Sequence, residues 1–213
     1  MVEIYALDIS CLPDEGEEEY EQMCVVLSEE RKRKIRECKQ SAKRKQMLGA
    51  GVLLGRVLKR NGIRPETVQI SEYGKPKAEG ICFNLSHSGD IVICVVSKVP
   101  VGCDIEKVKP VSRKLAERFF REEEKAYLSR FDESTYAPEF CRLWTMKESY
   151  VKMTGEGLYL PLSAFEVQMG EDVRIFREGQ RQESYLKEYS VPGYCITICA
   201  EEKEFSEIRW EEI

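Results

Sequence analysis

The sequence has one histidine among 213 residues and no Cys-x-x-Cys pair, which leaves no ligand set for a structural zinc site. No apolar run approaches the roughly 18–20 residues that cross a bilayer, so no membrane-spanning segment is expected. The opening Met1-Val2-Glu3-Ile4-Tyr5 lacks the basic start and apolar stretch of a signal peptide, and the cytoplasm is the expected compartment. A Gly-x-x-x-x-Gly-Lys-Ser/Thr loop and a kinase-type glycine-rich loop are also missing, so the common ATP-handling solutions are absent.

What is present describes a globular chain. With 42 % hydrophobic and 33 % charged residues it can bury a sizeable core, as one large domain or two of about 100 residues. The nine cysteines show no paired spacing. Cys82, Cys94, Cys195 and Cys199 lie inside apolar runs, where free thiols act as small hydrophobes and stay reduced. A net charge of −5 hides an asymmetry: Asp14–Glu21 carries six acids, and Arg31–Lys45 carries nine Lys or Arg against Glu37 alone. The basic segment is either a landing place for an anion, such as nucleic acid or nucleotide phosphates, or a solvated helix face.

Taken in order, Glu3–Ile9 reads as a strand. Ser28-Glu29-Glu30 reads as the capped start of a basic helix running toward Met47–Leu58 and ending at Asn61-Gly62. Tyr73-Gly74-Lys75-Pro76 is a turn. Ile81–Leu85 and Ile91–Ser97 are strands joined through Ser86-His87-Ser88-Gly89-Asp90. Pro110 and Ser112 open a helix with Leu115 and Phe119 on its apolar face. Phe140–Met153 is the strongest helix and Gly155 stops it. Phe165–Gln168, Val173–Phe176, Ser184–Ser190 and Tyr194–Ala200 read as strands, followed by an acidic tail.

Three groupings carry chemistry. In Val101-Gly102-Cys103-Asp104-Ile105-Glu106 the strand period puts Asp104 and Glu106 on one face, where two carboxylates call for a cation between them or for solvent. On the strong helix Trp144, Glu148 and Lys152 stack at four-residue spacing, as a third carboxylate and a phosphate partner or as an ordinary surface Glu–Lys pair. Around His87, two hydroxyls and a glycine suit a phosphate-binding loop or a plain polar turn. Together the groupings describe Mg²⁺-dependent phosphoryl-group transfer, because Mg²⁺ is held by one or two carboxylates plus substrate phosphates. A Mg²⁺ nuclease using the basic segment and a non-enzymatic nucleotide-binding module are the rivals. Overall acidity without interleaved aromatics opposes the first, and three retained carboxylates oppose the second.

These residues resemble a known family. Val101-Gly102-Cys103-Asp104-Ile105-Glu106 and Leu143-Trp144-Thr145-Met146-Lys147-Glu148-Ser149-Tyr150-Val151-Lys152 are similar to the paired signatures of 4′-phosphopantetheinyl transferases, Gly-x-Asp-x-Glu and Trp-x-x-Lys-Glu-x-x-x-Lys. Tyr73-Gly74-Lys75-Pro76 and Phe83-Asn84-Leu85-Ser86-His87-Ser88 match two more family motifs in order. The likeness runs nearly end to end, and the length fits the monomeric Sfp (surfactin-synthetase activator) type.

The resemblance implies an α+β fold of two similar lobes, 1–101 and 102–213, related by a pseudo-twofold with the active site in the cleft between them. It implies transfer of the phosphopantetheine arm of coenzyme A to a serine of an apo acyl or peptidyl carrier protein, releasing adenosine 3′,5′-bisphosphate, with no nucleic acid or membrane partner. By position, Asp104, Glu106 and Glu148 would hold Mg²⁺, with Mn²⁺ as an alternative, and Glu148 or a water it holds would be the base. Lys152, His87, Ser86 and Ser88 would meet the coenzyme A phosphates. The backbone of Tyr73, Gly74 and Lys75 would bracket the adenine, and Arg31 and Lys34 would meet the 3′-phosphate. Trp144 and Lys147 would pack and position. Gln46 stands where the family often has a small hydroxyl residue, so that pocket is expected to be lined differently. Leu158, Tyr159 and Leu160 are expected to contribute to a carrier-docking face.

Overall fold

The computed structural model describes residues 1–212. Strand β1 (Val2–Asp8) is apolar on both faces, with Val2, Ile4 and Ala6 in one core cluster and Tyr5 and Leu7 in another. Helices α1 (Glu18–Val25), α2 (Glu29–Glu37) and α3 (Ser41–Arg60) follow. Ser28 caps α2, its hydroxyl accepting from the Arg31 N–H. The basic segment does not form the continuous helix expected: the chain extends at Cys38 (ψ 120°), and the Arg44 guanidinium takes the Cys38 carbonyl at 2.7 Å. The break has a packing reason. In an unbroken helix the thirteen steps from Ile35 to Leu48 would leave their side chains about 140° apart around the axis, whereas both side chains are buried in one core. The acidic segment folds back on the basic one through Asp14–Lys45 (2.8 Å) and Glu15–Arg44 (2.9 Å).

A short 3-10 turn (Pro65–Thr67) leads to β2 (Gln69–Ile70), β3 (Pro76–Lys77), and the long hairpin β4 (Cys82–Ser88) and β5 (Ile91–Ser97). Strand β6 (Val101–Lys107) opens the second half, with α4 (Arg113–Phe119), α5 (Glu122–Leu128) and α6 (Glu133–Thr154) after it. Then come β7 (Phe165–Gln168), β8 (Arg174–Arg177), β9 (Gln180–Arg181), the hairpin β10 (Tyr185–Val191) and β11 (Tyr194–Ala200), and β12 (Phe205–Glu211). On α4 the buried residue is Ala116, whereas Leu115, expected on the apolar face, is 38 % exposed. Helix α6 begins seven residues before Phe140, at an Asp132 cap, and carries Pro138 inside its second turn.

The two halves share one topology. In the first, the order β1-β5-β4 is antiparallel throughout; in the second, β6-β11-β10 repeats it. Each half inserts its helices after the first strand and a small sheet before the hairpin. The fold is therefore α+β with two similar lobes. Strand β12, from the second half of the chain, returns to pair parallel with β1, so the last strand completes the sheet of the first half.

The lobes meet along β6. One edge of β6 pairs with β11; the other is bonded by side chains of β4. Asn84 Oδ1, Ser86 Oγ and Ser88 Oγ accept the N–H groups of Cys103, Ile105 and Lys107 at 2.9, 3.4 and 3.0 Å. The alternating side chains of one strand thus satisfy the alternating donors of another. On the face toward α6, Gly102 lets strand and helix backbones touch. A Cβ there would lie 2.1 Å from the Ser149 carbonyl and 2.3 Å from the Met153 nitrogen.

Candidate active site

Because Gly102 is flush against α6, the next two residues on its face, Asp104 and Glu106, meet the helix where Glu148 and Lys152 are one turn apart. These four side chains, with Leu85, Ser86, His87 and Trp144, line a pocket of ≈ 390 Å³. It adjoins a cleft of ≈ 670 Å³ walled by the Tyr73–Pro76 turn, Asn84, Arg118, Phe119 and residues 155, 157, 158 and 160–163, with Trp144, Glu148 and Lys152 common to both. The surface Glu148–Lys152 pair does not form. Lys152 Nζ instead donates to Asp104 Oδ1 (2.6 Å) and Ser86 Oγ (3.1 Å).

The bonding can be counted atom by atom. Ser86 Oγ donates to Asp104 Oδ1 at 2.9 Å and accepts from Lys152 and the Ile105 N–H, so its hydroxyl is fully used. Ser88 Oγ donates to Glu106 Oε2 at 2.7 Å and accepts from the Lys107 N–H. Ser86 and Ser88 therefore belong to strand β4, not to the connecting loop, which is the two-residue turn Gly89-Asp90. Asp104 Oδ2 is buried with no partner, a costly state for a carboxylate oxygen.

Burial pushes the Asp104 carboxyl up, against the opposing pull of Lys152 and Ser86. Burial also raises Glu148, with Asp104 and Glu106 adding to it. Burial works to lower Lys152, but Asp104, Cys103 and Glu148 outweigh it and hold the ammonium above the usual lysine value. His87 sits below the ordinary imidazole value through loss of water and the Lys152 and Arg31 charges.

Among the phosphate candidates, Arg31 is half-buried, donates to the Met47 carbonyl (3.2 Å) and is close enough for His87 to sense. Lys34 points elsewhere, paired with Glu30 at 2.6 Å on the exposed face of α2. Gln46 is also occupied, donating to the Gly89 carbonyl at 2.9 Å. Of the apolar trio, Leu158 and Tyr159 are exposed near the cleft mouth, whereas Leu160 is buried and cannot dock a partner.

Lys147 is fully buried and ion-paired to Glu124, and it also donates to the Phe165 carbonyl at 2.8 Å. Glu124 in turn accepts the Val167 and Arg121 N–H groups. This knot ties α6 to α5 and β7, one residue from Glu148. Burial lowers Lys147 to about 8 despite Glu124 beside it. Sequence reasoning missed Glu124, Asn84, Arg118 and the steric role of Gly102. Asn84 and Gly102 stand inside motifs already quoted, and Gly102 also carried a local signal of its own, a glycine inside a strand.

Among the described residues, no group of three or more Asp, Glu, His or Cys side chains is drawn together as a metal cage. The chemistry of the set still fits a hard cation. Three carboxylates face one pocket, one presents a buried unpartnered oxygen, and two are held above their ordinary pKa values. Mg²⁺ takes a few carboxylates and fills its remaining positions with water and substrate phosphate, so no closed protein cage is required.

Comparison with known proteins finds relatives along most of the chain. The family model described as the 4′-phosphopantetheinyl transferase superfamily matches residues 100–199, the stretch from just before β6 through most of β11. The chain is 36 % identical over 201 residues to 4′-phosphopantetheinyl transferase Sfp of Bacillus subtilis (strain 168), covering 90 % of each chain. It is 37 % identical over 209 residues to 4′-phosphopantetheinyl transferase ffp of Bacillus subtilis, again covering 90 % of each. A solved holo-[acyl-carrier-protein] synthase of Thermotoga maritima aligns with TM-score 0.42 at 20 % identity, over 50 % of this chain and 64 % of that one. With relatives matched along nine-tenths of its length and the signature carboxylates gathered in one pocket, the chain belongs to the Sfp-type 4′-phosphopantetheinyl transferases and is a transferase.

Proposed function

We propose that the cleft binds coenzyme A and that the chain moves its 4′-phosphopantetheine arm, Mg²⁺-dependently, to a serine hydroxyl of an apo acyl or peptidyl carrier protein. The observation that carries this reading is the convergence of Asp104, Glu106, Glu148 and Lys152 on a pocket continuous with a cleft walled by the Tyr73–Pro76 turn. A nucleotide on that turn would lead its pyrophosphate to the carboxylates and Lys152.

The balance of the reaction is simple. The serine oxygen bonds to the β-phosphorus, the bond to the bridging oxygen breaks, and adenosine 3′,5′-bisphosphate leaves with that electron pair. Mg²⁺ or Mn²⁺, held by Asp104 Oδ2, Glu106 and Glu148, would offset the negative charge that builds on the pyrophosphate oxygens. Lys152, fixed by Asp104 and Ser86, adds a preorganised cation whose orientation is set before substrate arrives. Neutral His87 offers a ring N–H at the pocket wall, with Arg31 behind it. Glu148, which faces the same pocket as Asp104, Glu106 and Lys152, takes the serine proton directly or through a water. Exposed Leu158 and Tyr159 give the carrier an apolar place to rest beside the cleft.

The test is intact mass spectrometry of an apo carrier protein incubated with the enzyme, coenzyme A and Mg²⁺. The carrier should gain about 340 Da, one phosphopantetheine arm; Asp104→Ala or a chelator should abolish the gain. Several apo carriers left unmodified by a folded, coenzyme-A-binding enzyme would refute the proposal.

A further inference from the structure

The family resemblance gives Lys75 a role for its backbone alone, as part of the bracket around the adenine. Its ammonium is already committed. Nζ donates to the carbonyls of Lys152 (2.6 Å), Met153 (3.0 Å) and Val101 (3.0 Å). An ammonium has three protons, so none remains for a ligand. Two of the acceptors are in the last turn of α6, where carbonyls lack helical partners and the dipole is negative. The third opens β6, the strand that carries Asp104 and Glu106. Gly155 completes the fit: its φ of 75° ends the helix, and a Cβ there would sit 3.2 Å from the Lys75 Cδ.

The other end of Lys75 is weakly held. It follows Gly74 (φ 83°) in the turn of the β2–β3 hairpin, whose strands are two residues each and whose Ile70 is 64 % exposed. Such a hairpin is marginal on its own. Its tip keeps its shape through Gly74 N–H to the Ser71 carbonyl and Lys75 N–H to Ser71 Oγ, both 2.9 Å. It is tied to the C-terminal lobe by the Lys75 ammonium and an edge-to-face contact of Tyr73 with Tyr159 (5.2 Å between ring centres).

We infer that Lys75 is an inter-lobe latch, a positioning residue that pins the Tyr73–Pro76 turn to the end of α6 and so fixes the nucleotide wall of the cleft relative to Glu148 and Lys152. The inference rests on reading that cleft as the coenzyme A site. Lys75 touches no reacting atom; it sets the distance between the part of the site that grips the nucleotide and the part that does the chemistry.

The experiment pairs hydrogen exchange with binding and kinetics on the full chain, comparing wild type with Lys75→Met, which keeps the stem and removes the ammonium, and with Lys75→Arg. Exchange at the Gly74 and Lys75 amides should quicken at least about tenfold in Lys75→Met, while β5 and β11 keep their protection. The coenzyme A Kd by calorimetry and the KM for coenzyme A should rise about tenfold or more, with the KM for the carrier unchanged, since a wall displaced by about 1 Å costs binding and orientation. Lys75→Arg, which retains donors for the same carbonyls, should recover part of both effects. Should Lys75→Met not fold, Lys75→Gln, with two donors for three acceptors, should show the same changes in smaller measure. Unchanged hairpin exchange overturns the latch. So does faster exchange with an unchanged Kd, because the lysine would then be only structural. A wild type that gives no heat with coenzyme A defeats the reading of the cleft itself, and the latch with it.

Discussion

Replacing Gly102 by alanine tests how the active site is assembled. The added methyl would lie 2.1 Å from the Ser149 carbonyl oxygen, 2.3 Å from the Met153 nitrogen and 2.8 Å from the Lys152 carbonyl carbon. All three are backbone atoms of α6, so no side chain can rotate away. Real Cβ contacts essentially never fall below 3.0 Å, so strand and helix must part by at least about 0.9 Å, the gap between those two figures. Overpacking of this kind costs about 1–3 kcal/mol, and two backbones in contact place it at the upper end. Alanine gives back about 0.4–1 kcal/mol by restricting the unfolded chain. The net expectation is a loss of about 2 kcal/mol, or a Tm lowered by roughly 4–8 °C in a chain of this size.

The functional loss should be larger. Parting β6 from α6 moves Asp104 and Glu106 away from Glu148 and Lys152, and a misplacement near 1 Å costs about a hundredfold in rate. Urea unfolding gives the stability change, and single-turnover mass spectrometry of carrier modification gives the rate. Gly55→Ala is the control: it is mid-helix in α3, nothing lies within 4 Å of its added Cβ, and it should stabilise by roughly 0.5–1 kcal/mol. A Gly102→Ala enzyme with wild-type stability and rate would refute the view that this contact sets the site.

Other substitutions probe single parts of the same assembly. Lys147→Met leaves Glu124 charged and buried without its partner, so unfolding should show a loss of roughly 3–5 kcal/mol, largely recovered in Glu124→Gln/Lys147→Met. Glu148→Gln should abolish transfer yet, without divalent metal, melt higher than wild type near neutral pH. Because the folded-state pKa of Glu148 is raised, its contribution to stability is full below the unfolded value of about 4.3 and is lost as pH rises through the folded value, so the two melting curves should converge toward acid pH. The acid limb of kcat/KM should move when Glu148 is replaced by Asp; an unmoved limb would assign the base elsewhere. Leu158→Asp, fully exposed at the cleft mouth, should raise the KM for the carrier while leaving that for coenzyme A alone; an unchanged carrier KM would remove it from the docking face.

How much of this could be read from sequence depended on whether the signal was local. Period two put Asp104 and Glu106 on one face, and period four stacked Trp144, Glu148 and Lys152; the structure keeps both. Strand periodicity also yielded β7 and β11 residue for residue. What failed needed a partner distant in the chain. Ser86 and Ser88 look like loop residues until the N–H groups of Ile105 and Lys107 are beside them. The basic segment looks like one helix until Ile35 and Leu48 must share a core. Strand β12 reads as an acidic tail because Glu207 and Arg209 interrupt its apolar residues, and its assignment to a sheet follows only from pairing with β1, about two hundred residues earlier.

The same distinction separates the chemical residues from those that aim them. A carboxylate or ammonium that meets substrate must be a particular residue type at a particular spacing, so it leaves a motif. A group that aims it needs only to reach a backbone atom or an opposite charge, and any suitably placed residue will serve. Lys147 stands inside the signature, but its partner Glu124 is twenty-three positions upstream. The three carbonyls that hold Lys75 have no side-chain identity at all. Glu148→Gln and Gly102→Ala should therefore fail for different reasons. The first keeps the fold and loses a carboxylate that both accepts the proton and helps to hold Mg²⁺, so the coenzyme A Kd measured without divalent metal should stay near the wild-type value. The second keeps every chemical group and loses their alignment, so its residual activity should retain the wild-type pH profile at a lower plateau. A changed profile in Gly102→Ala would show that alignment and protonation cannot be separated in this site.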